Sequence, residues 1–108
     1  MIVRRAWVEG SFRPDEEREF LERFADALRP IDHQDRLERL VWENETVGAQ
    51  RMLARVEPGP RRVAEMRLRL RAGKRPDGID RLGQGERADP GLLLDLVRHY
   101  RRVEDDAE

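Results

Sequence analysis

The chain has no cysteine, one lysine, one serine and one tyrosine among its 108 residues. Without cysteine there is no disulfide framework and no thiolate metal site, an absence that is neutral between cytoplasm and periplasm. No apolar run approaches the roughly 20 residues that a membrane span needs. The opening MIVRRAWVEG lacks the apolar stretch and small-residue cleavage site of a signal peptide, so a signal for export would lie outside this chain. Excess positive charge is missing too. The net charge is -1 and the pI is near 6.2, which provides no overall field to draw nucleic acid or an anionic membrane surface.

What remains is a strongly charged, helical pattern. Charged residues make up 42% and hydrophobic ones 38%, so apolar positions must concentrate on particular faces. The length is that of one domain with one core. Arginine supplies 21 of the 22 basic residues, with Lys74 the exception, and its stem can cover apolar neighbours while its head stays charged. No segment alternates apolar and polar residues over strand length, and helical periodicity recurs from end to end, which predicts an all-α fold.

Ile2, Val3, Ala6 and Trp7 share a helical face that stops at Gly10. Pro14 with Asp15, Glu16 and Glu17 reads as a helix start, followed by the stripe Phe20, Leu21, Phe24, Ala25 and Leu28 and ended by Pro30. Asp32 reads as the N-cap of a third helix, with Asp35 completing a weak capping box and Leu37, Leu40 and Val41 forming its stripe. Trp42 then lies about 100° round from Val41. Asn44 and Glu45 make a turn, and Thr46 caps a fourth helix carrying Val47, Ala49, Met52, Leu53 and Val56. Large against small suits facing helices, so the Trp42 indole is expected to fill the space left by Gly48 and Ala49. A fifth helix is expected from Pro60 to Gly73, with Val63, Met66 and Leu70 on one side and Ala64, Leu68 and Ala72 on another. Residues 73–89 form an irregular, glycine-rich connection with Ile79 and Leu82 as its apolar anchors. Asp89-Pro90 opens the last helix, with Leu92, Leu93, Leu96, Val97, Tyr100 and Val103 as its stripe.

Starts near residues 14, 33, 47 and 60 place alternate helices about 27 to 33 residues apart, and a further start follows near 90. Short helices at that pitch predict an α-solenoid of antiparallel helical hairpins, a superhelical repeat segment spanning 1–108. The helix at Ile2 calls for an upstream neighbour, which makes the expected segment a piece of a longer array.

Candidate chemistry is sparse. The acidic cluster Asp15, Glu16, Glu17, Glu19 and Glu22 contains the paired carboxylates that glycoside cleavage uses, but its spacing at a helix start predicts a solvated face. His33 near Asp35 and Glu38 suggests a base with an orienting acid, against the plainer expectation of a surface histidine. His99 has no second ligand at metal spacing. Ser11 lacks the flanks of a nucleophile elbow, and GQGE at 83–86 has neither the strand nor the lysine of a phosphate loop. Arg61, Arg62, Arg67, Arg69, Arg71, Lys74 and Arg75 stand against Glu65 alone. That run could bind an acidic partner, or more plainly shield an apolar helix and pair with the acidic second helix. No catalytic or metal residue emerges, no cofactor is implied, and substrate-binding residues stay unknown.

The ordered segments RRAWVEGSF, DEEREFLERFADAL, IDHQDRLERLVWENETVGAQRML and VAEMRLRLR, followed by DPGLLLDLVRHYRR, resemble the helical superhelical region of soluble lytic murein transglycosylases. The matching positions are Trp7, Gly10 and Phe12; Phe20, Leu21, Arg23 and Phe24; Asp32, His33, Arg36, Leu37, Arg39, Leu40 and Trp42; and Ala49, Arg51, Met52 and Leu53. The likeness covers about residues 4–72 and returns at 89–102. It departs at the glycine-rich 73–88 and at His99-Tyr100, where an arginine-tryptophan pair is usual.

The resemblance implies a U-shaped, periplasmic array of paired helices that carries a C-terminal lysozyme-like catalytic domain. That domain cleaves the MurNAc-GlcNAc bond of peptidoglycan and leaves 1,6-anhydromuramic ends, using a glutamate in a Glu-Ser motif. No Glu-Ser dipeptide occurs here. The implied role is a noncatalytic scaffold segment, with glycan strands and the parent's catalytic domain as partners. A homodimer through exposed repeat ends stays open, as does the alternative of a free-standing helical adaptor for a protein partner.

Overall fold

A computed structural model describes residues 2–106. Regular structure among them is helical throughout, with seven α-helices, three single turns of 3-10 helix and no strand. The α-helices are α1 (Ile2–Glu9), α2 (Pro14–Phe24), α3 (Pro30–Trp42), α4 (Thr46–Met52), α5 (Pro58–Arg71), α6 (Gln84–Arg87) and α7 (Pro90–Asp106).

Proline opens α2, α3, α5 and α7. Its φ is already helical, and the N–H it lacks would have no partner in a first turn. At α2 and α3 an acid two residues beyond the proline folds back. The Glu16 carboxylate accepts from the Arg13 backbone N–H at 2.9 Å, and Asp32 accepts from that of Arg29 at 2.8 Å. This geometry corrects two expectations. Pro30 starts the third helix instead of ending the second, which gives way to a 3-10 turn at Ala25–Ala27. Asp32 sits in the first turn of α3, where its charge meets the positive end of the helix dipole, and is not the cap. Likewise Glu45 precedes α4 and Thr46 begins it, and α5 starts at Pro58.

Two helices stop by the same device. Asn44 (φ 59°) follows α3 and Gly73 (φ 80°) follows α5. In each case a backbone N–H reaches five residues back, Glu45 to Leu40 at 2.9 Å and Lys74 to Arg69 at 3.0 Å. A left-handed residue with this wrap-around bond satisfies carbonyls at the helix end.

Contacts divide the described residues into two compact units, one running to Val56 and one from Glu57. In the first, α3 packs against both α1 and α4. Trp7, Leu37, Leu40, Val41, Ala49, Met52 and Val56 are buried there. The expected pairing of Trp42 with Gly48 and Ala49 is overturned, because Trp42 is 44% exposed and its indole N–H donates to Glu38 at 2.8 Å. Leu40 occupies the notch: a Cβ built on Gly48 would lie 3.5 Å from a Leu40 methyl. Two residues of helix turn the direction by about 200°, so when Leu40 faces α4, Trp42 must face away. The tryptophan with no exposure is Trp7.

In the second unit α5 packs against α7, and the short α6 also leans on α5. Met66, Leu70, Leu82 and Leu92 form the core, with Val63, Ile79 and Leu96 against it. Both apolar anchors of the glycine-rich connection are thus used, and a 3-10 turn at Ile79–Arg81 presents them after Gly78 (φ 86°). The stripe of α7 splits. Leu92 and Leu96 turn to the core, whereas Leu93, Val97, Tyr100 and Val103 are about half exposed.

Candidate functional site

Polar chemistry in the first unit converges on Arg36. One of its terminal nitrogens donates to the carbonyls of Trp7 (2.7 Å) and Gly10 (2.8 Å), and the other to the Glu17 carboxylate (3.2 Å). Its guanidinium carbon stands 4.4 Å from the Trp7 ring centre and 5.0 Å from that of Phe12. Burial draws the pKa of Arg36 below its ordinary value, with Glu17 acting in the opposite direction. Arg39 also donates to the Val8 and Gly10 carbonyls. A helix end leaves such carbonyls without internal partners, and these two arginines of α3 supply them for α1.

Glu17 is the second pole. It is 1% exposed and also receives Arg51 at 3.3 Å and Arg55 at 3.0 Å. The acidic cluster is therefore divided, since Asp15, Glu16, Glu19 and Glu22 are exposed while Glu17 is interior. The expectation of a uniformly solvated face fails at this residue. A carboxylate wrapped by guanidinium groups is out of reach of a glycosidic oxygen, so its work is to hold helices together.

His33 is half-buried and meets Trp7. The indole N–H donates to its Nδ1 at 3.1 Å, with the rings edge to face. That bond requires Nδ1 to carry no proton. Burial lowers the His33 pKa, Arg55 and Arg36 lower it further, and Asp32 works against them. For Asp32, burial raises the pKa, but the Arg29 backbone and side-chain bonds and the charges of Arg29 and Arg4 outweigh it, leaving the group below the ordinary carboxylate value.

The second unit has a smaller pairing of the same kind. Asp95, 3% exposed, accepts from Arg67 at 2.8 Å and Arg71 at 3.2 Å. Arg62 forms a two-pronged pair with Glu86 (3.1 and 2.6 Å), and Arg69 reaches the Arg75 carbonyl and Asp77. Within this unit Arg62, Arg67, Arg69 and Arg71 of the basic run of α5 thus have acidic or carbonyl partners. His99 is buried on the same face of α7 as Asp95, edge to face with Tyr100. Ser11 is exposed, and GQGE forms the start of α6, where Glu86 accepts from the Gly83 N–H. Among the described residues, no three His, Cys, Asp or Glu side chains gather as a metal site, and no helix is long and apolar enough to cross a membrane.

Two open grooves lie on the first unit. One, of about 550 Å³, is lined by Ile2, Val3, Arg4, Ala27 and Arg29. The other, of about 250 Å³, is lined by Phe12, Phe20 and Phe24 with Glu16, Glu19 and Arg23. Its rings form a ladder, 5.3 Å between Phe12 and Phe20 and 5.0 Å between Phe20 and Phe24. Aromatic faces beside carboxylates can hold a ligand that is apolar on one side and polar at its rim.

Sequence reasoning missed the buried carboxylates, although a signal existed. Glu17 stands three, four and seven residues before Phe20, Leu21 and Phe24, and Asp95 lies between Leu92 and Leu96. A charge at the period of an apolar stripe implies a buried partner.

The chain matches no protein-family model, no curated protein and no solved structure.

Proposed function

We propose that this chain is a noncatalytic helical scaffold segment of a peptidoglycan lytic transglycosylase. In this reading it is a solenoid-like piece of paired helices, periplasmic in its parent protein, which guides glycan strands toward the parent's own catalytic domain. One observation carries the proposal: residues on which the family resemblance rests are the ones that bind one another. Trp7 meets His33, Arg36 and Arg39 hold the carbonyls of Trp7 and Gly10, and Arg51 reaches the Phe12 carbonyl at 3.4 Å. A motif whose members interlock is a structural unit, and these side chains are engaged in contacts between helices. The Phe12, Phe20 and Phe24 groove is where a glycan would rest, with the C–H face of a sugar ring against phenyl and its hydroxyls toward Glu16 and Glu19.

Purified, insoluble peptidoglycan tests this. The chain should co-sediment with it, Phe24→Ser should weaken the binding, and chromatography of the supernatant should show no anhydromuropeptides. Anhydro products would overturn the noncatalytic role; a chain that stays in solution would overturn the glycan-facing one. A second reading, a free-standing adaptor for a protein partner, is favoured by the half-exposed apolar stripe of α7. It predicts no co-sedimentation.

A further inference from the structure

Two exposed surfaces of this chain are each partly apolar and are opposite in charge. On α7, Leu93, Val97, Tyr100 and Val103 are 47 to 53% exposed and recur at helical spacing along about 15 Å of helix. Monomeric proteins seldom leave such a contiguous face open. Glu104, Asp105 and Asp106 follow in the last turn, which has no basic residue. Carboxylates there face the negative end of the helix dipole and favour a cation beside them.

The groove at the start of the chain has the opposite character. Ile2, 86% exposed, joins Val3 and Ala27 in an apolar lining, and Arg4 and Arg29 stand over it. The first turn of α1 carries no acid. An apolar stripe ending in acids fits an apolar groove edged by arginines.

We propose that the chain associates with itself head to tail, the α7 stripe of one copy lying in the Ile2, Val3, Arg4, Ala27 and Arg29 groove of the next, with Tyr100 as the anchor and Glu104 to Asp106 beside Arg4 and Arg29. The two faces differ, so the contact is heterologous and propagates into a ring or an open chain instead of stopping at a two-fold pair. The inference is independent of the proposed function.

Sedimentation equilibrium on the full chain tests it. At low salt the average mass should climb above the 12.8 kDa of one chain as concentration rises, and should fall back when salt screens the ionic contacts. Val97→Glu and Ile2→Glu, both at exposed positions, should each give a monomer with unchanged far-UV circular dichroism. Mixed in equal amounts they should form a dimer and nothing larger, because one retains the groove and the other the stripe. Tyr100→Ser and Arg4→Ala form a second pair if either charge insertion disturbs folding. A wild-type chain that stays monomeric at every concentration overturns the proposal, as does a mixture that fails to associate; a single variant that still dimerises alone overturns it too, because like faces would then pair with like.

Discussion

Replacing Glu17 by glutamine isolates the charge at the centre of the first unit, because it preserves volume and creates no cavity. Removing one member of a buried ion pair costs about 3 to 5 kcal/mol, since the charge left behind is uncompensated. Arg51 and Arg55 keep 27% and 31% of their side chains exposed and can turn toward water, whereas Arg36 at 1% cannot. The loss should therefore fall near the lower end, about 3 kcal/mol. Both tryptophans, Trp7 and Trp42, precede Val56, so their fluorescence in a urea titration follows this unit. At slopes typical of small proteins the midpoint should drop by about 1 to 3 M. Glu19→Gln, on the same helix but exposed, should change stability by less than about 0.5 kcal/mol and serves as the control. A loss below about 1 kcal/mol for Glu17→Gln would mean that water reaches the carboxylate and that its charge does not hold these helices together.

Trp7→Ala should cost about 3 to 5 kcal/mol and Trp42→Ala less than about 1 kcal/mol in the same titration, and comparable losses would contradict the burial of one and the exposure of the other. His33 has a folded pKa below its ordinary value, so its contribution is fully present above pH 6.5 and is lost as pH falls toward the folded pKa. Melting temperature should decline in that window, Trp7 emission should change as its acceptor is protonated, and His33→Gln should flatten both profiles between pH 7 and 5. Gly91→Ala would place a methyl 2.6 Å from the Arg67 guanidinium, which Asp95 pins. It should cost about 1 to 3 kcal/mol, read by urea unfolding followed through Tyr100, and an unchanged midpoint would show that Arg67 moves freely.

The helical class and most helix starts were legible because proline, acids and the 3.6-residue period act locally. Gly73 and Asn44 announced their stops for the same reason. Trp42 was misassigned because composition gives the size of a knob and a notch but not which neighbour turns toward it, and Leu40 has the right angle. The division at Val56 was not legible at all, since the short EPGP stretch looks the same between hairpins of one array and between separate units. Choice of partner escaped for a further reason. Arg67 and Arg71 had many acids available along the chain, and only the packing of α7 brings Asp95 to them. The groove of Phe12, Phe20 and Phe24 was half visible: α2 showed two of its rings at helical spacing, and Phe12 joins them from the preceding loop.

The arginine clasp on α1 bears on how the chain emerges during synthesis. Eight residues are too few for a helix to persist alone in water, where roughly 12 to 15 are marginal. The groups that fasten its end, Arg36 and Arg39, come 26 to 31 positions later. At about 5 to 20 residues per second, the first segment waits on the ribosome for a second or more before its fasteners are made. This helix is thus fastened only once α3 has been made, and until then Trp7 is a bare indole on a nascent segment, open to whatever binds unfolded chains.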